Sequence, residues 1–367
     1  MILTGPIRRV IKGGGRRLPP PKHKEIVMAS KALRTVATRG KLLTRSTFSG
    51  YDVCMNPYVG CEFGCSYCYV RFFIKDDTKP WGEFVRVREH LEEKLPKEIA
   101  KGVVNLGKGQ SIAINEARLV LGTMTDPYQP AEVKHRITRA ALKALLHKDA
   151  PKFKKVGIFT RSPLVLQDVD LIRQLPNARV HYTVTPFPPD LLRVIEPYSP
   201  TTERRWDVVK KLKEAGIRTH VNVSPVMPGM SEEHIETFVE KLIELKVDEY
   251  FVDPMQPYKE SFDAFREACK KVPRISWQEI EDTMTNRVEY GTWKMAYLGR
   301  WQAARAKLQH KMPEQLPIWS DHEHRVWVDM RTSTPMSRRT YGDEAPEPAP
   351  TVPTIHTDFE DETPNWD

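Results

Sequence analysis

The segment CEFGCSYC, residues 61–68, places Cys61, Cys65 and Cys68 on one short loop with the spacing C-x3-C-x2-C. Thiolates are the usual ligands through which proteins hold iron–sulfur clusters. Three thiolates on one tight loop can bind three irons of a [4Fe–4S] cluster, and the fourth iron then stays open for a chelating ligand. Glycines just before and inside the loop allow it to turn tightly. The segment therefore predicts a cluster with one vacant iron.

Other uses of these cysteines stay open at this point. A structural zinc ion takes four protein ligands, and Cys54 can supply the fourth in the spacing C-x6-C-x3-C-x2-C, which is unusual for zinc. A disulfide with spare thiols, or three cysteines that only pack, are further alternatives.

The cysteine spacing resembles that of the radical S-adenosylmethionine (SAM) superfamily, in which an aromatic residue stands beside the last cysteine, as Tyr67 does here. The resemblance implies that the amine and carboxylate of SAM bind the open iron. It also implies that one electron cleaves the sulfonium, and that the 5′-deoxyadenosyl radical abstracts hydrogen from a substrate. The cofactors are then a [4Fe–4S] cluster and SAM, and an electron donor such as flavodoxin or ferredoxin is a partner.

A series of longer motifs between about residues 50 and 255 resembles the spore photoproduct lyase-like group, also called DNA repair photolyase-like proteins. Each motif is weak alone, whereas their order and spacing together are specific. In order, they are NPYVGC (56–61), YVR (69–71), GTMTDPYQPAE (122–132), FTRS (159–162), Glu196-Pro197 with Arg205, AGI (215–217) and SPVMPG (224–229).

This resemblance implies a set of cofactor-binding residues near the ends of the predicted strands. The set is Tyr67, Thr123, Asp126, Arg161, Thr183 and Arg205. The guanidinium of Arg161 offers a fork of donors that suits a carboxylate. For Asp126, capping of a helix that starts near Pro130 is an alternative.

One departure from spore photoproduct lyase concerns the hydrogen donor. That enzyme uses a cysteine in the segment that matches residues 122–126, and this chain has none there. Cys54 and Tyr58 are the candidate catalytic residues in its place, with other tyrosines near the motifs as further candidates. Cys269 is expected to be a small buried apolar residue. Repair of spore photoproduct itself is therefore not expected.

Apolar runs alternate with amphipathic stretches through the middle of the chain. The runs are 119–121, 156–159, 180–184, 220–223 and 250–252, and the stretches are 131–148, 165–175, 202–215 and 232–245. Repeated strand–helix units predict an α/β fold with parallel strands and outer helices, in a barrel or part of one. The family resemblance implies a partial (β/α)6 TIM-type barrel. Polar motif residues follow the runs, where barrels carry their chemistry.

The ends of the chain differ from its middle in composition and charge. We expect an irregular basic N-terminal arm at 1–48, the partial barrel at 49–259, a helical C-terminal extension at 260–341 and a disordered, acidic, proline-rich tail at 342–367. The arm carries many Lys and Arg and a single acid, Glu25, and the tail carries only acids. With a net charge of +9, this distribution favours DNA or RNA as a partner, although a solvated surface is an alternative.

Cysteine count and hydropathy bear on the location of the protein. An odd number of cysteines, five, and a start without a continuous apolar segment indicate a reducing cytoplasm. No apolar run is long enough to cross a membrane. The sequence does not indicate an oligomeric state.

Three functions remain for comparison with the structure. The first is a radical SAM enzyme that acts on nucleic acid, either as a lyase that splits a DNA lesion or as an enzyme that modifies a base. The second is a radical SAM enzyme that tailors a peptide or small molecule. The third is a zinc-dependent nucleic-acid binding module without catalysis.

Overall fold

The structure is a computed structural model that describes residues 33–37, 40–48, 50–76, 79–255, 259–273 and 275–308, together with three two-residue strands between 318 and 336. Most of the basic arm, residues 1–32, and the acidic tail predicted for 342–367 lie outside the described residues.

Strands and helices alternate along the described chain. In chain order, the strands are β1 (Leu33–Ala37), β2 (Thr44–Arg45), β3 (Val53–Met55), β4 (Tyr58–Val59), β5 (Val85–Glu89), β6 (Val103–Gly107), β7 (Gln110–Ala113), β8 (Arg118–Leu121), β9 (Lys155–Thr160), β10 (Arg179–Thr183), β11 (Thr219–Val226), β12 (Glu249–Pro254), β13 (Ile318–Trp319), β14 (Trp327–Val328) and β15 (Pro335–Met336). The α-helices are α1 (Val70–Phe73), α2 (Leu91–Ile99), α3 (Glu132–His135), α4 (Ile137–Leu146), α5 (Val169–Ile172), α6 (Pro189–Ile195), α7 (Thr202–Glu214), α8 (Ile235–Glu244), α9 (Lys259–Cys269), α10 (Trp277–Thr285) and α11 (Arg287–Lys307).

One large sheet organises the fold, with the strand order β13-β12-β11-β10-β9-β8-β3-β2. Every neighbouring pair is parallel except β2 and β3, which are antiparallel. Strands β3 and β8–β12 thus form six consecutive parallel strands, and helices connect them, as parallel pairing requires. Among the described residues, the edge strands β2 and β13 do not pair with each other. This open sheet confirms the predicted α/β fold of partial-barrel type.

Apolar burial explains why these segments form strands and helices. The side chains of Leu119, Val120 and Leu121 in β8 are fully buried, as expected for a strand covered on both faces. Helix α8 buries Ile235, Phe238, Val239 and Leu242, a spacing that makes one apolar stripe along a helix. The helices therefore shield the sheet with one face and meet solvent with the other.

A second sheet, ordered β1-β5-β4, joins the end of the basic arm to the cysteine loop. Strand β1 pairs in parallel with β5, and β4 ends two residues before Cys61. The arm predicted as irregular over 1–48 is therefore not irregular throughout, since 33–37 and 44–45 are strands. Backbone pairing with a neighbour is open to any non-proline residue, so the charged composition of this segment did not reveal these strands.

Helices α9, α10 and α11 follow β12, in the first part of the segment where a helical extension was predicted, and β13 after them pairs with β12 in the large sheet. Trp301 of α11 is fully buried, and the ring of Trp293 stacks on Tyr290 with 5.5 Å between ring centroids. No helix in the described ranges has the length and apolar character needed to cross a membrane.

Polar side chains are buried inside the large sheet, below the ends of its strands. Tyr51 Oη lies 2.5 Å from His181 Nε2, and the His181 ring stacks on Phe159 at 4.2 Å. Gly157 leaves room for Tyr51, because a Cβ atom on Gly157 would lie 2.1 Å from Tyr51 Oη. Glycine at position 157 of β9 thus leaves the space in which Tyr51 reaches His181 of β10.

We expect Gly157→Ala to lower the free energy of unfolding by about 1–3 kcal/mol, because the added methyl must displace Tyr51. Gly299→Ala is the matched control: Gly299 lies in α11 with nothing within 4 Å of an added Cβ, so alanine should stabilise by up to about 1 kcal/mol. Urea unfolding of both variants measures the difference, and equal midpoints would contradict it.

Candidate active site

A cavity that opens to solvent lies where strands β8–β12 end. Its walls come from the cysteine loop and from the carboxyl-terminal parts of these five strands, the position predicted from barrel chemistry. The lining residues are Phe48, Cys61, Phe63, Gly64, Cys65, Tyr67, Cys68, Tyr69, Val70, Trp81, Gly122, Thr123, Met124, Thr125, Asp126, Phe159, Thr160, Arg161, Thr183, Asn222, Ser224, Pro225, Phe251, Asp253, Pro254 and Met255. Aromatic and thioether side chains make much of this wall apolar, with a few polar groups placed among them.

The three predicted cluster cysteines all line this one cavity. Their loop turns through Gly60 and Gly64, which have φ angles of +85° and +61°, a region that favours glycine. A Cβ atom on Gly60 would also lie 2.6 Å from the carbonyl oxygen of Phe84. Burial raises the pKa of the Cys68 thiol to about 12 and raises that of Cys61 and Cys65 as well. A thiolate here therefore needs a positive partner such as a metal ion.

Hydrogen bonds tie the cysteine loop to the segment after β8. The side-chain Oδ1 of Asn56 accepts a bond from the Met124 backbone at 2.8 Å, and its Nδ2 donates to Thr123 Oγ1 at 3.1 Å. Farther along, Gln129 Oε1 accepts a bond from the Glu62 backbone at 2.9 Å. The motifs at 56–61 and 122–132 thus hold each other in place.

Asp126 joins the ends of β8 and β9. Its carboxylate accepts bonds from Thr160 Oγ1 at 2.7 Å, from the Arg161 backbone at 2.9 Å and from the Tyr128 backbone at 2.8 Å. Burial raises the pKa of this carboxyl, and the three hydrogen bonds oppose that rise. Helix α3 begins at Glu132 without a side-chain cap, so Asp126 does not cap it.

A buried carboxylate, Glu196, connects Tyr67 and Arg161 to Arg205 of helix α7. It accepts hydrogen bonds from Tyr67 Oη, from Thr185 Oγ1 at 2.7 Å and from Arg205, and it lies 2.9 Å from Arg161 Nη1. Burial acts to raise the pKa of Glu196, but the two guanidinium groups outweigh it and lower the pKa to about 2. The group is therefore ionised throughout the physiological range.

Arg161 also reaches the cysteine loop directly. Its Nη1 donates to Tyr67 Oη at 2.6 Å and lies 3.3 Å from Cys65 Sγ. Arg161, Thr123, Thr183, Tyr67 and Asp126 all line the cavity, so the structure brings five of the six predicted cofactor residues together.

The remaining predicted residues lie away from the cavity. Arg205 is fully buried behind Glu196 and donates to the Pro200 carbonyl at 3.0 Å. Tyr58 is fully buried and donates to Glu132. Cys54 Sγ lies 3.2 Å from Thr44 Oγ1. None of the three lines the cavity.

Sequence reasoning missed several polar residues of the cavity wall on β11 and β12. Asn222 is 3% exposed, and its Oδ1 atom is buried without a hydrogen-bond partner. Ser224 Oγ donates to Asp253 at 3.3 Å. A signal was present in β11, because His220, Asn222 and Ser224 alternate with apolar residues in an otherwise buried strand.

No single-ion site explains the cysteines. In the stretches that the structure describes, no three His, Cys, Asp or Glu side chains converge to hold one metal ion. Cys54, which a four-cysteine zinc site would need, bonds to β2 residues instead. The zinc alternative is therefore not supported. In an iron–sulfur cluster each thiolate binds a different iron, so the three sulfur atoms do not need to converge on one ion.

Comparison with known proteins defines the class to which this fold and cavity belong. Residues 55–242, just over half of the chain, match the Radical SAM superfamily. The chain therefore belongs to the radical SAM superfamily, whose members use a [4Fe–4S] cluster and SAM.

The chain is also similar to individual relatives and to solved structures. It is 31% identical over 191 residues to the uncharacterized protein MJ0683 of Methanocaldococcus jannaschii, covering 52% of this chain and 66% of that protein. It is 28% identical over 220 residues to the uncharacterized protein Rv2578c of Mycobacterium tuberculosis, covering 57% and 58%. The chain thus spans less than two thirds of the length of these relatives. Spore photoproduct lyase complexed with dinucleoside spore photoproduct shares its fold, with a TM-score of 0.50, 15% identity and coverage of 71% and 73%.

The residues present fit the superfamily's cofactors. Three thiols on one loop face a cavity, which suits a cluster with one open iron. Asn222 lines the same cavity, and its Oδ1 atom is buried without a hydrogen-bond partner, which leaves an acceptor for a polar ligand.

We expect Glu196→Gln to lower the free energy of unfolding by about 3–5 kcal/mol, because Arg205 would then be buried without an opposite charge. Glu214→Gln is the control, since it changes an exposed acid of the same helix that carries Arg205 and should cost at most about 0.5 kcal/mol. Anaerobic urea unfolding measures both, and similar losses in the two variants would contradict the structural role of Glu196.

Proposed function

We propose that this radical SAM enzyme acts on nucleic acid, where it splits a damaged base or modifies a base. The observation that carries the proposal is where the described last part of the basic arm lies. Its end forms β1 in the sheet that also holds the cysteine loop, and Phe48, its last residue, lines the cavity. A polyanion attracted to the arm is thereby brought to the mouth of the cavity.

The cysteine loop has the role of holding the cluster in this proposal. Cys61, Cys65 and Cys68 bind three irons and leave the fourth for SAM. When bound, the cluster and SAM supply one-electron cleavage of the sulfonium, which yields a 5′-deoxyadenosyl radical for hydrogen abstraction.

Polar residues of the wall have the role of orienting SAM. Thr123 and Thr183 offer hydroxyl groups, Arg161 offers guanidinium donors and Asn222 offers the unpartnered acceptor. Asp126 lines the cavity but bonds to the end of β9, and Arg205 lies behind Glu196 and bonds to it. They are positioning residues in this proposal.

The hydrogen donor of spore photoproduct lyase has no counterpart in the described cavity wall. Its only thiols are the three of the cysteine loop. Cys54 and Tyr58 do not reach the cavity, so the geometry does not support a direct radical role for either. Tyr69 lines the cavity and donates its hydroxyl to the Thr123 carbonyl, which makes it the better placed tyrosine.

We expect Cys65→Ala to lose most bound iron and all SAM cleavage, because one iron loses its ligand. Cys54→Ala should keep both, since Cys54 lies outside the cavity. Iron and sulfide analysis of anaerobically reconstituted protein measures the first effect, and release of 5′-deoxyadenosine measures the second. Iron loss in Cys54→Ala would show that this assignment is wrong.

We expect DNA or RNA oligonucleotides to raise the release of 5′-deoxyadenosine by the reconstituted enzyme. Binding should weaken at least about tenfold between roughly 50 and 200 mM salt, because phosphate contacts release counterions. Arg16→Gln combined with Arg17→Gln in the arm should weaken binding, and Lys270→Gln, directly after α9, should not. Turnover with a peptide or small molecule, but none with any nucleic acid, would favour the alternative tailoring enzyme.

A further inference from the structure

The large sheet has a second edge, formed by the amino-terminal ends of its parallel strands, at the opposite end from the cavity. Cationic residues stand at the first position of three of these strands and directly before a fourth. They are Arg118 in β8, Lys155 in β9, Arg179 in β10 and Arg218 before β11. Because parallel strands of one sheet begin at the same edge, these four cations lie together there.

Strand register places the cationic side chains on the sheet face that also lines the cavity. Lys155 and Phe159 are an even number of positions apart in β9, as are Arg179 and Thr183 in β10, so each pair points to one side of the sheet. Phe159 and Thr183 line the cavity. Arg118 lies directly beside Lys155 in the neighbouring strand. The cations therefore point to the inner face of the sheet, and their charges act on one another.

Two carboxylates are shared among the cations. Arg118 Nη2 lies 2.7 Å from Asp52 Oδ1. Arg179 Nη1 lies 3.0 Å and Arg218 Nη2 lies 2.6 Å from the oxygens of the same carboxylate, that of Glu249. Four positive and two negative charges leave an excess of two positive charges at this edge.

We term these four cations and two acids the basal cluster, and Lys155 is its cation without an ion-pair partner in the described ranges. Its Nζ atom lies 4.4 Å from the centre of the Tyr51 ring. Burial, and then the charges of the three arginines of the basal cluster, lower the pKa of Lys155 to about 8 against the opposing effect of Glu249. An anion bound beside this amine would stabilise its charged form.

A hydrogen-bond donor of the basal cluster is also left over. Arg179 Nε is buried without a hydrogen-bond partner in the part of the chain that the structure describes, although its Nη1 atom binds Glu249. Buried donors in folded proteins rarely stay unpaired. An anion with several oxygen atoms suits a group that has both a spare donor and spare positive charge.

We propose that the basal cluster binds a phosphate dianion, supplied either as inorganic phosphate or as the phosphate group of a small ester. Guanidinium and ammonium groups are the side chains through which proteins recognise phosphate. The excess of two positive charges matches the dianion, which is the main form of a phosphate ester at neutral pH. The site lies at the other end of the sheet from the cysteine loop, so it does not depend on the iron–sulfur cluster or on SAM.

The test measures acylation of Lys155 in the full-length, reconstituted protein by a trace amount of an N-hydroxysuccinimide ester of acetic acid, with peptide mass spectrometry. Inorganic phosphate at about ten times its dissociation constant should slow this reaction about tenfold, because the bound anion protects the amine by mass action. Sodium chloride at the same ionic strength should not slow it. Lys101, which is exposed and outside the basal cluster, should react equally fast in both salts.

Matched variants separate the site from general salt effects. Arg218→Gln should weaken the protection of Lys155 about tenfold, whereas Arg300→Gln at an exposed site of α11 should leave it unchanged. A second readout is thermal unfolding, where saturating phosphate should raise the Tm of the wild type by about 2–4 °C over chloride. Lys155→Gln should lose that rise.

The source of the phosphate group is decided by comparing ligands in the same assay. Stronger protection by ribose 5-phosphate than by inorganic phosphate would support the proposal with a small ester as the ligand, and equal protection would support it with inorganic phosphate. Equal acylation of Lys155 in phosphate and chloride, or a full Tm rise in Lys155→Gln, would overturn the proposal. Protection by a single-stranded oligonucleotide but not by inorganic phosphate would overturn it too, because the site would then belong to a nucleic-acid surface.

Discussion

The carboxylate of Glu196 is buried between two guanidinium groups, and much of the site depends on this arrangement. A buried charge is costly unless it is paired and hydrogen-bonded, so Glu196 must keep its partners together. Through Tyr67 it holds the cysteine loop, through Arg161 the end of β9, and through Arg205 helix α7. One ionised group thereby fixes the loop relative to the sheet that forms the cavity floor.

Motif residues divide into those that face the cavity and those that hold the loops. The side-chain oxygens of Asn56, Gln129 and Asp126 accept hydrogen bonds from backbone N–H groups of neighbouring loops. Buried backbone donors need partners, and loops at strand ends cannot find them in a regular sheet. The polar atoms left for a ligand belong to a smaller group, of which Asn222 is the clearest case because its Oδ1 has no partner.

The cysteine loop contacts both the cavity and the segment 195–199 at the end of α6. With its three thiols it lines the cavity, whose wall carries several aromatic side chains. The loop also meets the segment 195–199, through the Ser66 backbone and through Cys65 Sγ. Glycine at positions 64 and 82 lets the two backbones pack against each other, because a Cβ atom on Gly82 would lie 2.7 Å from Gly64 Cα.

The sequence alone determined what depends on local spacing. Three cysteines within eight residues indicated the cluster loop, and the apolar runs gave the strands within a few residues, since both patterns are set by neighbours in the chain. Which polar groups pair across the fold was decided only by the tertiary structure. Tyr67 and Glu196 are 129 residues apart, and Tyr58 and Glu132 are 74 apart. No local pattern encodes such partners, because the fold brings them together and burial then makes their pairing obligatory.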